Sequence, residues 1–569
     1  MQVSANCFFL SWSIMTLTVV LAFPQHYIRR RYWGSAPRPK VLCLSSLLSR
    51  DEAITHVISS ANEKPSYHCP IGTIRNLTRI ALAHAGQSDG YNAMKTLGKL
   101  CKERISYDFD LDISTQNGGR NWSTVSINRQ LLSSDTTDAL QKQIQFMEQN
   151  GWISTNPDSV DELPSLHLNL ISKGTPIVGT SINNSDGFQK GISSLLDIVQ
   201  PVITKNLVPW VKKMLNSTDI RVSDVFLRRY GDSVLNGEVS RHSISAHYDI
   251  FSKVTAVIAL DDVASSGRNG LYTTAFSTSH DSGNAGTSNH ASLRRFFPLR
   301  KGDGVLHTWD VLHGVDVEPG IDRTSLVVWF STAEAMVDDT SVNNCKLDCG
   351  NTNPPIAPWL SNHPELESDD IVQFVLASAI QSSSNYDQDD ESHFQSKASM
   401  YQEKDFRENV ENQIQLSHDL YIKSASKKNA FALTRVGSLC RDQLFSRQQL
   451  DSVKTIAFEF HAPPPVIAPL LEDESEHVIL ARKFWLESAI NGNPLAQLLL
   501  GDEVMEVAVN RNSPDLRLLA STLFSLASQQ SDDSAKEALS RLLSYEASIS
   551  ESYEIFQSSP VVRVASLAL

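Results

Sequence analysis

Short runs of β-branched and aromatic residues dominate the middle of the chain. VSDVFLRRY (222–230), SKVTAVIAL (252–260), GDGVLHTW (302–309) and RTSLVVWFS (323–331) are separated by clusters of Gly, Asp, Asn and Ser. Short strands with turn-formers between them predict an all-β barrel or sandwich. The segment 277–293 reads as a long polar loop within it. On either side the period changes to that of a helix. Ala and Leu recur at helical spacing through 78–104, inside a region over 40–160 that reads as mostly helical. Ile192, Leu195, Leu196, Ile198, Val199, Val202 and Leu207 mark an amphipathic helix over 186–215, which Pro201 and Pro209 are expected to break.

Beyond about 425 the pattern is helical again, interrupted by Pro463, Pro464 and Pro465. This region, 425–569, contains an internal repeat. Ala481, Trp485, Ala489, Ala496 and Leu500 fall on helix faces, and 39 residues on come Ala520, Phe524, Ala535 and Leu539. A fixed period of that size predicts stacked helix pairs. The first copy, with Gly492 and Leu500-Gly501, resembles the Sel-like helical repeats, relatives of the tetratricopeptide family. The second lacks those glycines, and a plain helical hairpin remains the alternative.

Composition narrows the class. The 569 residues are 41% hydrophobic and 20% charged, which excludes collagen-like, wholly disordered and multi-spanning chains. A net charge of −14 makes a general nucleic-acid binder unlike this chain. Residues 361–396 hold eight Asp or Glu and no Lys or Arg, so 361–400 reads as an acidic, solvated, low-complexity linker.

The N-terminus bears on compartment. Residues 8–23, FFLSWSIMTLTVVLAF, carry no charge, and Val20-Leu21-Ala22 suits cleavage after Ala22. Residues 1–22 therefore read as a signal peptide, or as a signal-anchor that makes 5–23 a membrane anchor. Arg29-Arg30-Arg31 on the far side favours cleavage. The expected location is the secretory pathway, the endoplasmic reticulum lumen or its membrane. Of seven cysteines, Cys7 leaves with the signal. The remaining six (Cys43, Cys69, Cys101, Cys345, Cys349 and Cys440) permit disulfides, with Cys345 and Cys349 near enough to pair. Sequons stand at Asn76, Asn121, Asn183 and Asn216.

One constellation carries chemistry. In His247-Tyr248-Asp249 the first and third residues project from one face of a strand, and His313 follows 66 residues later. Two imidazoles and a carboxylate form the facial triad that holds Fe(II) and leaves coordination positions open. Arg323 and Ser325 share a strand face ten residues further on. A guanidinium fork beside a hydroxyl suits a carboxylate. Arg228-Arg229-Tyr230 ends the strand before His247. His242, His280, His290 and His307 are assigned no role, and Trp309 and Trp329 read as core.

These residues, within 220–335, resemble the catalytic core of Fe(II)/2-oxoglutarate-dependent oxygenases. They are most similar to the prolyl 4-hydroxylase-like branch. The resemblance implies an α+β multidomain chain. Its core is a double-stranded β-helix, or jelly roll, over 165–336, with flanking helices and helical N- and C-terminal regions. It implies Fe(II) on His247, Asp249 and His313, 2-oxoglutarate on Arg323 with Ser325 and Tyr230, dioxygen as oxidant and ascorbate as reductant. Three departures are plain, one of them the long interval from Tyr230 to His247. Collagen prolyl hydroxylases usually carry Lys where Arg323 stands, and the family's Gly-Gly-x-Thr-x-Phe stretch is degenerate at Gly270-Leu271-Tyr272-Thr273-Thr274-Ala275-Phe276. The expected reaction is hydroxylation of a peptidyl residue, proline first, so a protein or peptide is the expected partner. The alternatives are a non-catalytic interaction protein working through its helical repeats, and an oxygenase acting on lysine or a small molecule. The oligomeric state is open.

Overall fold

The structure, a computed structural model, describes residues 71–102, 105–106, 125–157, 164–177, 186–231, 241–249, 251–262, 269–274, 290–318, 320–332, 370–385 and, apart from a few short gaps, 403–568. The signal segment, the Cys345–Cys349 pair, His280 and the sequons at Asn121 and Asn183 lie outside the described residues. Among the described residues no helix is long and apolar enough to cross a membrane. Cys101 and Cys440 are buried.

Thirteen described strands build two sheets. The larger follows the order β2 (Val125–Asn128), β11 (Gly304–Thr308), β8 (Val254–Ala259), β13 (Arg323–Ser331), β6 (Arg221–Tyr230), β4 (Pro164–Ser172), β3 (Ser154–Pro157), with β5 (Thr175–Pro176) paired to β4. The smaller runs β1 (Ile105–Ser106), β10 (Arg294–Phe296), β9 (Gly270–Thr274), β12 (His313–Asp316), β7 (Ser243–His247). Among the described strands only the β1–β10 pair is parallel. From β6 to β9 and again from β10 to β13, successive strands alternate between the two sheets, which is the jelly-roll arrangement.

Alternation along β13 shows how sequence sorts the faces. Leu326, Val328 and Phe330 point outward into a cluster with Leu227 of β6 and Ile258 of β8. Arg323 and Ser325 take the opposite face. The outward cluster is covered by α3 (Ser134–Gln149) through Leu140, Ile144 and Met147, and by α4 (Asp186–Val202) through Ile192, Leu195 and Val199. Between the sheets a second, smaller cluster joins Val257, Ala259 and Val305 to Leu271, Phe297 and Val311.

Pro201 and Pro209 do not break the covering helix. α4 runs through Pro201 into a π-helical turn at Ile203–Leu207 and on into α5 (Val208–Leu215), with Pro209 in its first turn. A proline ring collides with the carbonyl four residues back and offers no N–H. A π turn between the two prolines keeps the chain helical. Burial of Ile203, Leu207 and Val211 on the same cluster holds the segment continuous.

Two domain expectations are corrected. The described part of 40–160 is mostly helical, but it does not stand apart from the β domain. β2 pairs with β11, and α3 lies on the large sheet, so the β domain begins well before residue 165. The stretch 361–400 is not solvated throughout. Residues Asp370–Asn385 form α6, and Ile371, Val372, Val375, Ala377 and Ile380 are buried. Their apolar spacing outweighs the acidic composition on either side.

The remaining helices make one helical body. Leu77 and Met94, from α1 (Ile71–Ala83) and α2 (Ser88–Lys102), share a cluster with residues far along the chain. These include Leu433 of α8 (Ala430–Arg441), Trp485 of α10 (Glu476–Ile490), Leu500 of α11 (Pro494–Asn510), Phe524 of α12 (Pro514–Ser528) and Leu539 of α13 (Asp533–Ile549). α7 (Glu403–Ser426) packs on α6 and α8. The nine repeat positions named above are all buried. A Cβ on Gly437 would overlap Trp485, and one on Gly501 would overlap Phe524. The two aromatic residues 39 apart are thus seated against glycines of a preceding helix. The helical body meets the β domain at Arg294, whose guanidinium donates to Asp316 Oδ2 (3.0 Å) and to the Gln530 carbonyl (3.1 Å).

Leu195→Ala is expected to cost about 2–5 kcal/mol, because the fully buried side chain leaves a cavity under the large sheet. Exposed Lys190→Ala is expected to stay within about 0.5 kcal/mol. Denaturant midpoints of the two variants check this, and equal midpoints would contradict it.

Candidate active site

The small sheet supplies two of the three candidate ligands in register. His313 on β12 lies opposite His247 on β7, with a bulge between His313 and Val315. The two rings stand 4.5 Å apart between centroids. Asp249 follows β7 and turns its carboxylate between them. Its Oδ1 is 3.6 Å from His247 Nε2, and its Oδ2 is 3.5 Å from His313 Nε2. Ligand atoms of all three residues fall within 4.8 Å of one another. Such a cluster of two imidazole nitrogens and one carboxylate oxygen suits a divalent transition metal. Asp249 and His313 are buried, and His247 is the more open member.

The surrounding hydrogen bonds hold these groups ready. Thr255 on β8 donates its hydroxyl to Asp249 Oδ2 at 2.6 Å. His313 Nδ1 lies 3.0 Å from the Val311 carbonyl, which places the proton there and leaves the Nε2 lone pair facing the cluster. Burial raises the Asp249 pKa, but the imidazoles of His313, His247 and His307 and the Thr255 hydroxyl outweigh it and hold the carboxyl at about 2.

Arg323 begins β13 and is 1% exposed. Burial draws its pKa down to about 10, with Asp261 and Tyr230 pulling the other way, so it remains a cation at neutral pH. It reaches across the sandwich to the small sheet. Its Nη1 donates to the Asn269 carbonyl at 3.3 Å, while its Nε and Nη2 have no partner among the described residues. The guanidinium lies over Gly270, where a Cβ would overlap it and where φ is +94°. Gly270 stands opposite Asp316, and Thr273 opposite His313. Three residues of strand rise put the guanidinium roughly 10 Å from the ligand cluster along the sheet. A five-carbon dicarboxylate suits that span. Tyr230 lies opposite Arg323 and is 3% exposed, and Ser325 is buried two residues along the same face.

All six candidate residues are therefore brought to the interior between the sheets. One residue given no role in the sequence joins them. His307 on β11 is buried, its ring centroid is 4.0 Å from that of His313, and its Nε2 is 3.8 Å from Asp249 Oδ2. Burial and the His313 imidazole pull its pKa down to about 3, so it is neutral at physiological pH. A polar residue at the centre of the apolar run Val305–Trp309 was the available signal. Of the other histidines, His290 sits away from the cluster against Cys101, Nε2 to Sγ 3.3 Å.

No family model matches the chain, and no curated protein matches it. Solved structures do. The alpha-ketoglutarate-dependent epimerase SnoN from nogalamycin biosynthesis matches over 39% of this chain and 82% of its own, at 13% identity and a TM-score of 0.28. A prolyl-4-hydroxylase from Pseudomonas putida matches over 41% and 98%, at 15% identity and a TM-score of 0.23. A prolyl hydroxylase from Trichoplax adhaerens, solved with a hypoxia-inducible-factor peptide, matches over 45% and 97%, at 14% identity and a TM-score of 0.24. At such values the functional reading rests on the geometry of the site.

The depressed Asp249 pKa has a stability consequence in the metal-free protein. Its folded value lies below its unfolded value of 3.8, so the ionised carboxylate stabilises the fold above about pH 4. That contribution, on the order of 2 kcal/mol, is lost as the pH falls through about 2. Denaturant midpoints measured from pH 5 to pH 2 are expected to fall less steeply for Asp249→Asn than for the parent. Parallel curves would contradict this.

Proposed function

We propose that the chain is an iron- and 2-oxoglutarate-dependent dioxygenase that hydroxylates a peptidyl residue, with proline the first candidate. The observation that carries this is the pairing of His247, Asp249 and His313 with a buried, incompletely paired Arg323 in the same interior. A metal triad alone fits many reactions. A second, buried cation one small diacid away selects a metal-bound 2-oxoacid.

Iron with 2-oxoglutarate and dioxygen supplies the oxidising power, the diacid leaving as succinate and carbon dioxide while a substrate C–H becomes C–OH. The chain supplies geometry. His247, Asp249 and His313 would hold the ion from one side and leave the other open. Thr255 fixes the carboxylate, and the Val311 carbonyl fixes the His313 tautomer. Arg323 would take the distal carboxylate of the 2-oxoacid through Nε and Nη2, with Ser325 and Tyr230 adding hydroxyls. The buried setting excludes water and strengthens each charge contact.

Proline is favoured by the sequence resemblance to the prolyl 4-hydroxylase-like branch. The charge-free run at 8–23 supports a secretory location. The helix pairs at 476–549 are read as Sel-like repeats that present the protein substrate, on the strength of their 39-residue period and the seating of Trp485 and Phe524. Ascorbate is the proposed reductant.

The test is iron-dependent succinate formation by the chain lacking residues 1–22, with and without proline-rich and lysine-containing peptides. The parent is expected to turn over 2-oxoglutarate, and His313→Ala is expected not to. Arg323→Ala is expected to raise the 2-oxoglutarate KM by about 10-fold or more, as loss of a charge-assisted pair requires. Peptides gaining one oxygen at proline would support the specific reading, and gain at lysine would replace it. A parent that binds no iron and forms no succinate would end the oxygenase reading.

A further inference from the structure

Among the described residues, His307 is a buried polar group beside the ligand cluster that the roles above leave unused. Its surroundings restrict what it does. The Nδ1 atom faces the Thr308 carbonyl at 3.2 Å, which places a proton on Nδ1 and leaves a lone pair on Nε2. Nε2 is buried and has no partner among the described residues. It faces Asp249 Oδ2, 3.8 Å away, and that oxygen is also an acceptor. Two acceptors facing each other in a buried setting repel unless a donor stands between them.

Their separation fits one donor in particular. A water within about 2.8 Å of both atoms, one hydrogen to each, spans such a gap. Thr255 closes one side. It is the cross-strand neighbour of His307, and its hydroxyl occupies another lone pair of the same carboxylate oxygen. His313 closes another, its ring tilted 47° on that of His307.

We propose that His307 is a positioning residue of the metal centre. Its Nε2 holds, through one bridging water, the Asp249 carboxylate in the orientation that presents it with His247 and His313 to the ion. The inference rests on the metal reading of the three candidate ligands. His307 is not itself counted among them, since the mutually close set comprises His247, Asp249 and His313. Residues that orient a ligand typically change metal affinity by about 10–100-fold when removed.

The experiment is titration of the metal-free full chain with Co(II), read by calorimetry and by the visible d–d bands of the bound ion. His307→Phe keeps a flat ring of similar size and removes the acceptor. It is expected to weaken Co(II) binding by about 10–100-fold and to shift the bands. His307→Gln restores an acceptor oxygen near the Nε2 position and is expected to recover affinity to within a few-fold of the parent. His247→Ala, which removes a ligand, is expected to lose the bands outright. His307→Phe binding as the parent does, with unshifted bands, would overturn the proposal. Equal losses in the Phe and Gln variants would also overturn it, because they would report disturbed packing rather than a missing acceptor. A parent that binds no Co(II) would overturn the metal reading and this inference with it, whereas a binding parent with an unaffected His307→Phe overturns the inference alone.

Discussion

The site depends on one register. β12 and β7 pair so that His313 lies opposite His247, and a side chain in a strand changes face with every residue. A slip of one position would turn one imidazole out of the sandwich and leave Asp249 with only one of its two candidate ligand partners beside it. The bulge between His313 and Val315 takes up the mismatch beyond the ligand and lets β12 continue to Asp316. Everything else in the fold can be read as fixing that pair. β9 runs along the other edge of β12, and its Gly270 leaves room for the guanidinium that comes across from the large sheet.

The large sheet is held from outside, by α3 and the long α4–π–α5 segment, so its inner face is free to carry polar groups. Arg323, Ser325, Tyr230, Thr255 and His307 can sit inside because Leu326, Phe330, Leu227 and Ile258 are buried on the outer side. The helical body is fixed to the opposite sheet. Arg294 ties Asp316, at the end of the strand that begins with His313, to the carbonyl of Gln530 just after α12. Leu293, the neighbouring residue, belongs to the helical cluster rather than to the sandwich. The strand that carries a candidate ligand is thus anchored at its far end by helices from the other end of the chain.

Much of the candidate site was legible because strand geometry is short-ranged. The i, i+2 relation of Arg323 to Ser325 follows from the period of two alone, whereas Asp249 lies just past the end of β7 and reaches His247 through the turn of the chain there. Other features were hidden for physical reasons. His307 lies in an apolar run whose sequence looks like core, and only the pairing of β11 with β8 brings it to Thr255 and Asp249. The strands at 105–106 and 125–128 are too short to show a period, and their partners lie some 180–190 residues away. The helix at 370–385 was masked by acidic neighbours, although its apolar spacing was present. The continuity of the α4–π–α5 segment through two prolines is decided by burial against the large sheet, which no local preference reports.

The most direct measurement is a crystal structure of the chain with Mn(II), as a redox-stable stand-in for Fe(II), and 2-oxoglutarate. The predicted result is an anomalous peak ligated by His247, Asp249 and His313, with the distal carboxylate of the 2-oxoacid on the Arg323 guanidinium. An ion bound elsewhere, or a diacid that does not touch Arg323, would contradict it.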